Sequence, residues 1–345
     1  MRSLLCLLLT LTASAADRPN IVVILADDYG YGSAGCYGAD PKLVRTPAID
    51  RLAAEGRRFT DGNTTSSVCS PTRYSLLTGR YCWRTSLTHE VLGTFSPLHI
   101  EPTRVNLASL LKAKGYRTAA VGKWHLGSRP DLQPQRRGFD EFFGNLYHLN
   151  AEEEPESVDY PKNPEFKKKF GPRGVIHSFA DGRIEDTGPL TRKRMETIDE
   201  EVNARAMGFM EQSVKADKPF FLWWNSTKMH IFTHLKEGVD GKTGLGIYAD
   251  GMVEHDRQVG ELLAKLEALG ELENTIIMYS YAKFPSMAVS KATLGILQDH
   301  YPERLGQMLI ANPPMLFSTF WSCLGSSNIA RATAPHSRYR RSFLF

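Results

Sequence analysis

Three groups of residues in this chain have the types and spacing to do chemistry. Asp27 and Asp28 stand side by side directly after an apolar run. Adjacent carboxylates repel unless a cation or protons intervene, and hard oxygen donors of this kind suit Ca2+ or Mg2+. The same pair could also form an ordinary exposed turn. Cys69 opens the segment Cys69-Ser70-Pro71-Thr72-Arg73, which runs into an apolar helical stretch. Pro71 suits a first helical turn. Cys69 would then lie near a helix N-terminus with Arg73 one turn on, a place that favours anions and activates nucleophiles. Its ordinary alternative is a buried thiol. Lys123 and His125 are two positions apart, so a strand would present both on one face. There Lys123 would clamp an anionic group and His125 would transfer a proton. Taken singly, each also reads as a solvated Lys or a structural His.

The elements that must hold these residues alternate between strands and helices. Asn20 to Leu25 is a continuous apolar run between Pro19 and Asp27-Asp28, the pattern of a fully buried strand. Thr46-Pro47 opens a helix with Thr46 as its cap, Ile49, Leu52 and Ala53 as its inner stripe and Gly56 as its end. A second helix is expected from about Thr103 to Gly115, followed by a short strand over 118–121. Residues 219–224 and 274–280 read as two more buried strands, and Val253 to Leu269 as a long helix between them. Residues 150–200 are rich in Glu, Lys, Pro and Gly and read as a long surface excursion. The alternation predicts an α/β sheet covered by helices on both faces, with ligands at the C-terminal ends of its strands.

Composition narrows the function classes. The 345 residues carry 42 basic and 38 acidic side chains and only 5 cysteines. That excludes a disordered chain or a disulfide framework. The net charge of +4 is matched by Arg331, Arg338, Arg340 and Arg341 in an acid-free tail, so the rest of the chain is neutral. A neutral body argues against a nucleic-acid partner. No apolar run is long enough for a spanning helix, which argues against stable membrane insertion. Arg2, the apolar stretch Leu4 to Leu11 and Ala13-Ser14-Ala15 read as a signal peptide over residues 1–16, implying a secreted or lumenal protein.

At this point the motifs resemble a family. Cys69-Ser-Pro-Thr-Arg73 in its context resembles the first sulfatase signature, and Gly115 to Gly127, with GKWHLG, resembles the second. NIVVILADDYGYG, TPAIDRLAAEGRRFTDGNTTSSVCSPTR and PFFLWWNSTKMHIFTH extend the likeness over about residues 19–280. The resemblance implies an α/β fold of the alkaline phosphatase superfamily, with a large mixed sheet between helices. It implies a sulfuric ester hydrolase of the arylsulfatase-like group, secreted or lysosome-like, acting on an aryl or carbohydrate sulfate. Cys69 would be oxidised to formylglycine by a formylglycine-generating enzyme and would also touch the metal. Asp27 and Asp28 would hold one Ca2+. Arg73 would hold residue 69, Lys123 would clamp sulfate, His125 would be the base that releases sulfate, and His230 would stand beside the leaving-group oxygen. His148 lies where the family often places a further polar contact.

The likeness breaks after NTIIMYS. The family continues there with an Asp-Asn pair that completes the metal site, whereas this chain reads Ser280-Tyr281-Ala282-Lys283. Residues 284–330, with His300 to Gly306 and Asn312-Pro313-Pro314, resemble part of a CRAL-TRIO (Sec14-like) lipid-binding domain. The expected organisation is therefore a signal peptide over 1–16, an incomplete catalytic domain over 17–280, a CRAL-TRIO-like fragment over 281–330 and a basic tail over 331–345. Two coding segments joined near residue 281 would explain it. Two other functions follow from these breaks: an inactive sulfatase lacking two metal ligands, or a lipid-binding protein built on the C-terminal piece. An exposed sheet edge and poor solubility are also expected. Asn63 and Asn225 are N-glycosylation acceptors, with Asn225 expected to be shielded at the end of a core strand.

Overall fold

The computed structural model describes residues 18–59, 64–66, 68–85, 91–92, 100–101, 103–127, 133–281 and 342–344. The signal segment, Asn63, nearly all of the CRAL-TRIO-like segment and most of the basic tail lie outside the described residues.

The centre of the sheet is β1 (Asn20–Ala26), whose seven residues are all buried. It pairs in parallel with β7 (Phe220–Asn225) on one side and β8 (Thr275–Tyr281) on the other. A strand covered on both faces needs apolar side chains at every position, which is why these three read as unbroken hydrophobic runs. β3 (Arg117–Gly122) pairs in parallel with β7 and with β4 (Glu141–Asn145). β5 (Val175–Phe179) and β6 (Ile184–Asp186) then extend that edge antiparallel. On the far side β9 (Ser342–Leu344) pairs in parallel with β8 and with the short β2 (Arg57–Arg58). The order is β2-β9-β8-β1-β7-β3-β4-β5-β6. The edge beyond β8, expected to be open, is thus paired with residues 342–344.

Alternation along β1 divides the core. Val22, Ile24 and Ala26 face one helix layer, formed by α1 (Pro47–Glu55), α7 (Ile198–Lys215) and α8 (Ile247–Ala268). Ile21, Val23 and Leu25 face the other, formed by α2 (Cys69–Thr78) and α3 (Leu107–Ala113). Each such side chain contributes roughly 1.5–3 kcal/mol on full burial. The structure corrects two helix starts. Thr46 does not cap α1; its hydroxyl accepts from the Gly35 amide at 2.8 Å. The carboxylate of Asp256, on α8, takes the first-turn amides of Ala48 and Ile49 at 3.1 and 2.8 Å instead. α3 begins only at Leu107, because Asn106 and Ser109 form a reciprocal capping box, and Val105 is exposed.

Residues 150–200 are not a loose excursion. They contain α4 (Leu149–Glu153), α5 (Pro164–Phe170), β5, β6, α6 (Arg192–Met195) and the start of α7. The buried residues of β5, Val175 to Ser178, anchor the segment to the sheet.

Candidate active site

The site lies at the C-terminal ends of β1, β7 and β3. Backbone geometry brings these ends together. Gly122 ends β3 with φ of +88°, and a Cβ there would meet the Asn225 carbonyl oxygen at 1.7 Å. Only glycine permits this approach. Beyond it, Lys123 N bonds Asn225 O at 3.2 Å, Trp124 N bonds Asn145 O at 2.9 Å and His125 N bonds Leu146 O at 3.2 Å. The strand therefore ends before Lys123, and His125 takes a left-handed backbone with φ of +51°. The expectation that a strand displays Lys123 and His125 on one face is corrected. A turn presents them, and both side chains are buried.

Asp27 follows the last residue of β1 and is buried. The ammonium of Lys123 bonds its Oδ2, and Arg73 Nη2 lies 3.4 Å from its Oδ1. Cys69 is the first residue of α2, with Sγ 3.5 Å from Asp27 Oδ1 and 3.2 Å from Lys123 Nζ. Arg73 is fixed by the Lys123 carbonyl at 2.6 Å and Asn225 Oδ1 at 3.1 Å. α2 is buried from Ser70 to Thr78 although Ser70, Thr72, Arg73 and Ser75 are polar. Internal partners explain this for three of them: Arg73 as above, Thr72 Oγ1 donating to Ser66 O at 2.7 Å and Ser70 Oγ accepting from Leu92 N at 3.2 Å, whereas Ser75 Oγ is buried without one.

The charges respond to this crowding. Burial alone would raise the Asp27 carboxyl, but Lys123 and Arg73 hold it well below the usual carboxylate range. Asp28, with φ of +56°, is pushed up to about 7 by burial and by the Asp27 carboxylate. Burial, then Asp27, push the Cys69 thiol up to about 11. A helix N-terminus therefore does not activate this thiol, because desolvation and the neighbouring carboxylate outweigh it. As cysteine, residue 69 is a poor nucleophile.

Three imidazoles form the outer wall. His125 and His148 have ring centroids 5.2 Å apart, and His148 stacks on His230 at 6.0 Å with planes 8° apart. Their partners assign the protons. His125 Nε2 faces the Leu92 carbonyl at 3.2 Å and must donate, which leaves its buried Nδ1 as an unprotonated, unpartnered acceptor. His230 Nδ1 accepts from Phe232 N at 3.4 Å, so Nε2 carries its proton. His148 Nδ1 likewise accepts from Ala151 N at 3.3 Å. Burial, then the Lys123 charge, lower all three: His125 well below the usual range, His148 and His230 to about 4.

Asp27, Asp28 and Cys69 offer ligand atoms that all lie within 4.8 Å of one another. Among the described residues this is the group that fits a divalent cation. The raised Asp28 carboxyl points the same way, since a cation is what would return it to the ionised form. Ca2+ takes about 6–8 oxygen ligands, more than these residues supply.

The chain matches the sulfatase family over residues 19–282 and the CRAL/TRIO domain over residues 271–327. The chain belongs to the sulfatase family. It is 31% identical to an N-acetylgalactosamine-6-O-sulfatase of Bacteroides thetaiotaomicron, over 87% of this chain and 63% of that protein. It is 34% identical to human arylsulfatase A, over 79% of this chain and 54% of that one. The chain thus spans roughly half to three fifths of the curated relatives it matches. Among solved structures it superposes on the PsFucS1 sulfatase from Pseudoalteromonas sp. with a TM-score of 0.68 at 31% identity, covering 77% of this chain and 55% of that one.

Every site residue expected from the sulfatase likeness falls in this one region. Asp27, Cys69, Arg73 and Lys123 are in direct contact, Asp28 adjoins them, and His125 and His230 stand at either end of the histidine row. Other contributors carry no local signal. Asn225, whose only sequence mark is a glycan motif, is fully buried and bonds Arg73, so it is shielded as expected. The hydroxyl of Tyr248 accepts from Gly30 N at 2.9 Å and donates to the Asp28 carbonyl at 3.1 Å, bracing the acidic turn. Among the described residues no helix is long and apolar enough to cross a membrane.

Proposed function

We propose that residues 17–280 form a catalytic unit that hydrolyses a sulfate monoester of an aromatic or carbohydrate alcohol. The observation that carries this reading is the approach of Lys123 Nζ to within 3.2 Å of Cys69 Sγ, with Asp27 at 3.5 Å on the same sulfur. That cluster pairs a cationic clamp with an electrophile-facing position and a cation site, which is what attack on an anionic ester requires. The raised thiol is consistent with residue 69 being a precursor. Converted to formylglycine, it would supply a hydrated aldehyde hydroxyl as nucleophile at a position where burial and Asp27 keep the thiol protonated. Asp27, Asp28 and residue 69 would hold Ca2+, which would supply Lewis-acid neutralisation of the sulfuryl oxygens.

The chain's own residues would divide the remaining work. Arg73 and Lys123 neutralise charge at residue 69 and on the sulfate. His230 Nε2, which carries a proton, would be the donor to the departing alcohol oxygen. His125 Nδ1 has a free lone pair and serves as the base that releases sulfate. His148, edge-on to His125 and stacked on His230, would hold both rings in register. The likeness to carbohydrate and aryl sulfatases supports the substrate class. The apolar N-terminus supports passage through the secretory pathway, where a formylglycine-generating enzyme would be the maturation partner.

The test is to produce the chain together with a formylglycine-generating enzyme and determine the mass of the peptide containing residue 69. The expected product has the thiol replaced by an aldehyde and hydrolyses an aryl sulfate in the presence of Ca2+; Cys69→Ala abolishes turnover. Complete conversion without turnover would support a second reading, an inactive relative. That reading is favoured by Ser280-Tyr281-Ala282-Lys283 standing where the family supplies an Asp-Asn pair. An unconverted thiol would overturn the proposal. The segment 281–330 is proposed as a separate CRAL-TRIO-like unit, and binding of fluorescent phospholipid by the full chain but not by one ending at residue 280 would assign lipid to it.

A further inference from the structure

Helix α7 brings one carboxylate under the site that the scheme above does not use. Asp199, the second residue of α7, is fully buried. Its Oδ1 accepts from the Thr227 amide at 3.0 Å. Its Oδ2 accepts from the Thr227 hydroxyl at 3.0 Å and from Lys228 Nζ at 3.2 Å. Lys228 is buried as completely as its partner. A carboxylate in a first helical turn commonly serves its own helix, by capping its amides or by opposing its dipole. The partners of Asp199 point elsewhere, because its three bonds all run to residues 227 and 228.

Those residues belong to a segment with neither helical nor ladder bonds of its own. Residues 226–230 leave the end of β7 and turn back on the site. Ser226 N bonds Leu25 O at 3.2 Å, and Ser226 Oγ bonds Lys228 O at 2.9 Å. The next contacts are with Asp27. Its amide donates to the Lys228 carbonyl at 3.3 Å, and its carbonyl accepts from Met229 N at 2.5 Å. Both backbone groups of the buried carboxylate are therefore held by residues 228 and 229. One residue further on, His230 N bonds Thr227 O at 3.3 Å. A continuous path of bonds runs from Asp199 through Thr227 and Lys228 to Asp27 on one branch and His230 on the other.

We propose that Asp199 is a positioning residue whose buried pair with Lys228 fixes segment 226–230 and thereby orients both Asp27 and His230. The functional meaning rests on the reading that those two residues serve sulfate ester cleavage; the tie itself does not. A segment without ladder bonds needs an anchor from outside itself, and a carboxylate with three donors supplies direction as well as attraction. An apolar contact in the same place would fill the volume but would not set which way the peptide groups face.

The test compares the full-length parent with Asp199→Asn and with the double variant Asp199→Asn/Lys228→Met, by hydrogen–deuterium exchange read at peptide resolution. The single variant leaves a buried ammonium unpaired and can fail to fold. The double variant leaves no unpaired charge and keeps the shape, so it is the deciding protein. It is expected to melt close to the parent while the amides of residues 25–29 and 226–233 exchange at least about 10-fold faster, with β3 and the C-terminal half of α8 unchanged. In preparations with turnover, kcat falls about 10-fold or more while KM stays within about threefold, the signature of misplaced catalytic groups rather than lost binding. Parent-like exchange at 25–29 and 226–233 in the double variant would overturn the proposal. A parent that lacks turnover would count against the reading of the site and leave the exchange result to decide the tie.

Discussion

Replacing Lys123 by methionine removes the ammonium that bonds Asp27 while nearly preserving the volume of the side chain. Lys123 is fully buried and Asp27 is 4% exposed, so solvent screens their interaction little. Breaking a buried pair by removing one partner costs about 3–5 kcal/mol. Arg73 remains 3.4 Å from Asp27 Oδ1, which places the expected loss near the lower end, about 3 kcal/mol. With a urea m-value of about 3 kcal/mol/M, the midpoint at pH 7 falls by about 1 M. The pH dependence carries the sharper signature. In the parent, Asp27 is held below its unfolded value, so its stabilisation is present above the unfolded carboxylate pKa and is lost as pH falls through the folded one. Without Lys123 the largest lowering charge is gone and the Asp27 carboxyl moves upward. An upward shift removes stability where the group is ionised and returns it as pH falls. The deficit of the variant is therefore large at pH 7 and shrinks on acidification to pH 5. Ca2+ at about a hundredfold over the dissociation constant of either protein would add about 2.7 kcal/mol to that protein's stability. Urea titrations at both pH values, with and without Ca2+, measure all of this. A variant within about 1 kcal/mol of the parent at pH 7, or one with the same deficit at both pH values, would refute the reasoning.

Other expectations follow from single contacts. Glu152 is buried without a charged partner, and burial pushes its carboxyl up to about 8 against the lowering effect of the Gly174 backbone, so its native state favours the protonated form. The stability it gives is full below the unfolded carboxylate pKa and is lost as pH rises toward 8. Glu152→Gln should flatten the melting temperature between pH 5 and pH 8, and a parent-like slope would contradict this. Asp256→Ala removes the acceptor of two α1 amides and should cost about 1–2 kcal/mol by urea titration. Gly122→Ala places a Cβ 1.7 Å from a backbone oxygen and should abolish soluble expression. Gly38→Ala meets nothing within 4 Å and bears only the strain of its positive φ, so it should cost about 1 kcal/mol. His230→Gln should slow a carbohydrate sulfate by about 10²–10⁴-fold but a nitrophenyl sulfate far less, because a good leaving group needs little protonation.

The central strands and the acidic pair were legible because burial on both faces forces continuous apolar runs, and β1 therefore ends visibly at Asp27. The membership of Cys69, Arg73 and Lys123 in one site was legible from motif likeness, since no local rule places residue 69 beside residue 123. The period-two rule failed at His125 because β3 stops at Gly122, where the approach to Asn225 forces a turn. Local capping rules failed at Thr46 because a carboxylate from α8, far along the chain, took the amides first. Asp199, Asn225 and Tyr248 gave no signal, as each acts only through partners that the fold supplies. The thiol was expected to be activated by its helix terminus, but burial and Asp27 decide its state.

The most direct test of the central claim is a crystal structure of the full chain, matured by a formylglycine-generating enzyme and grown in Ca2+. One cation is expected about 2.3–2.6 Å from oxygens of Asp27, Asp28 and the modified residue 69, with Lys123 turned toward residue 69. An unmodified thiol with Lys123 still bonded to Asp27 and no cation between the two carboxylates would contradict it.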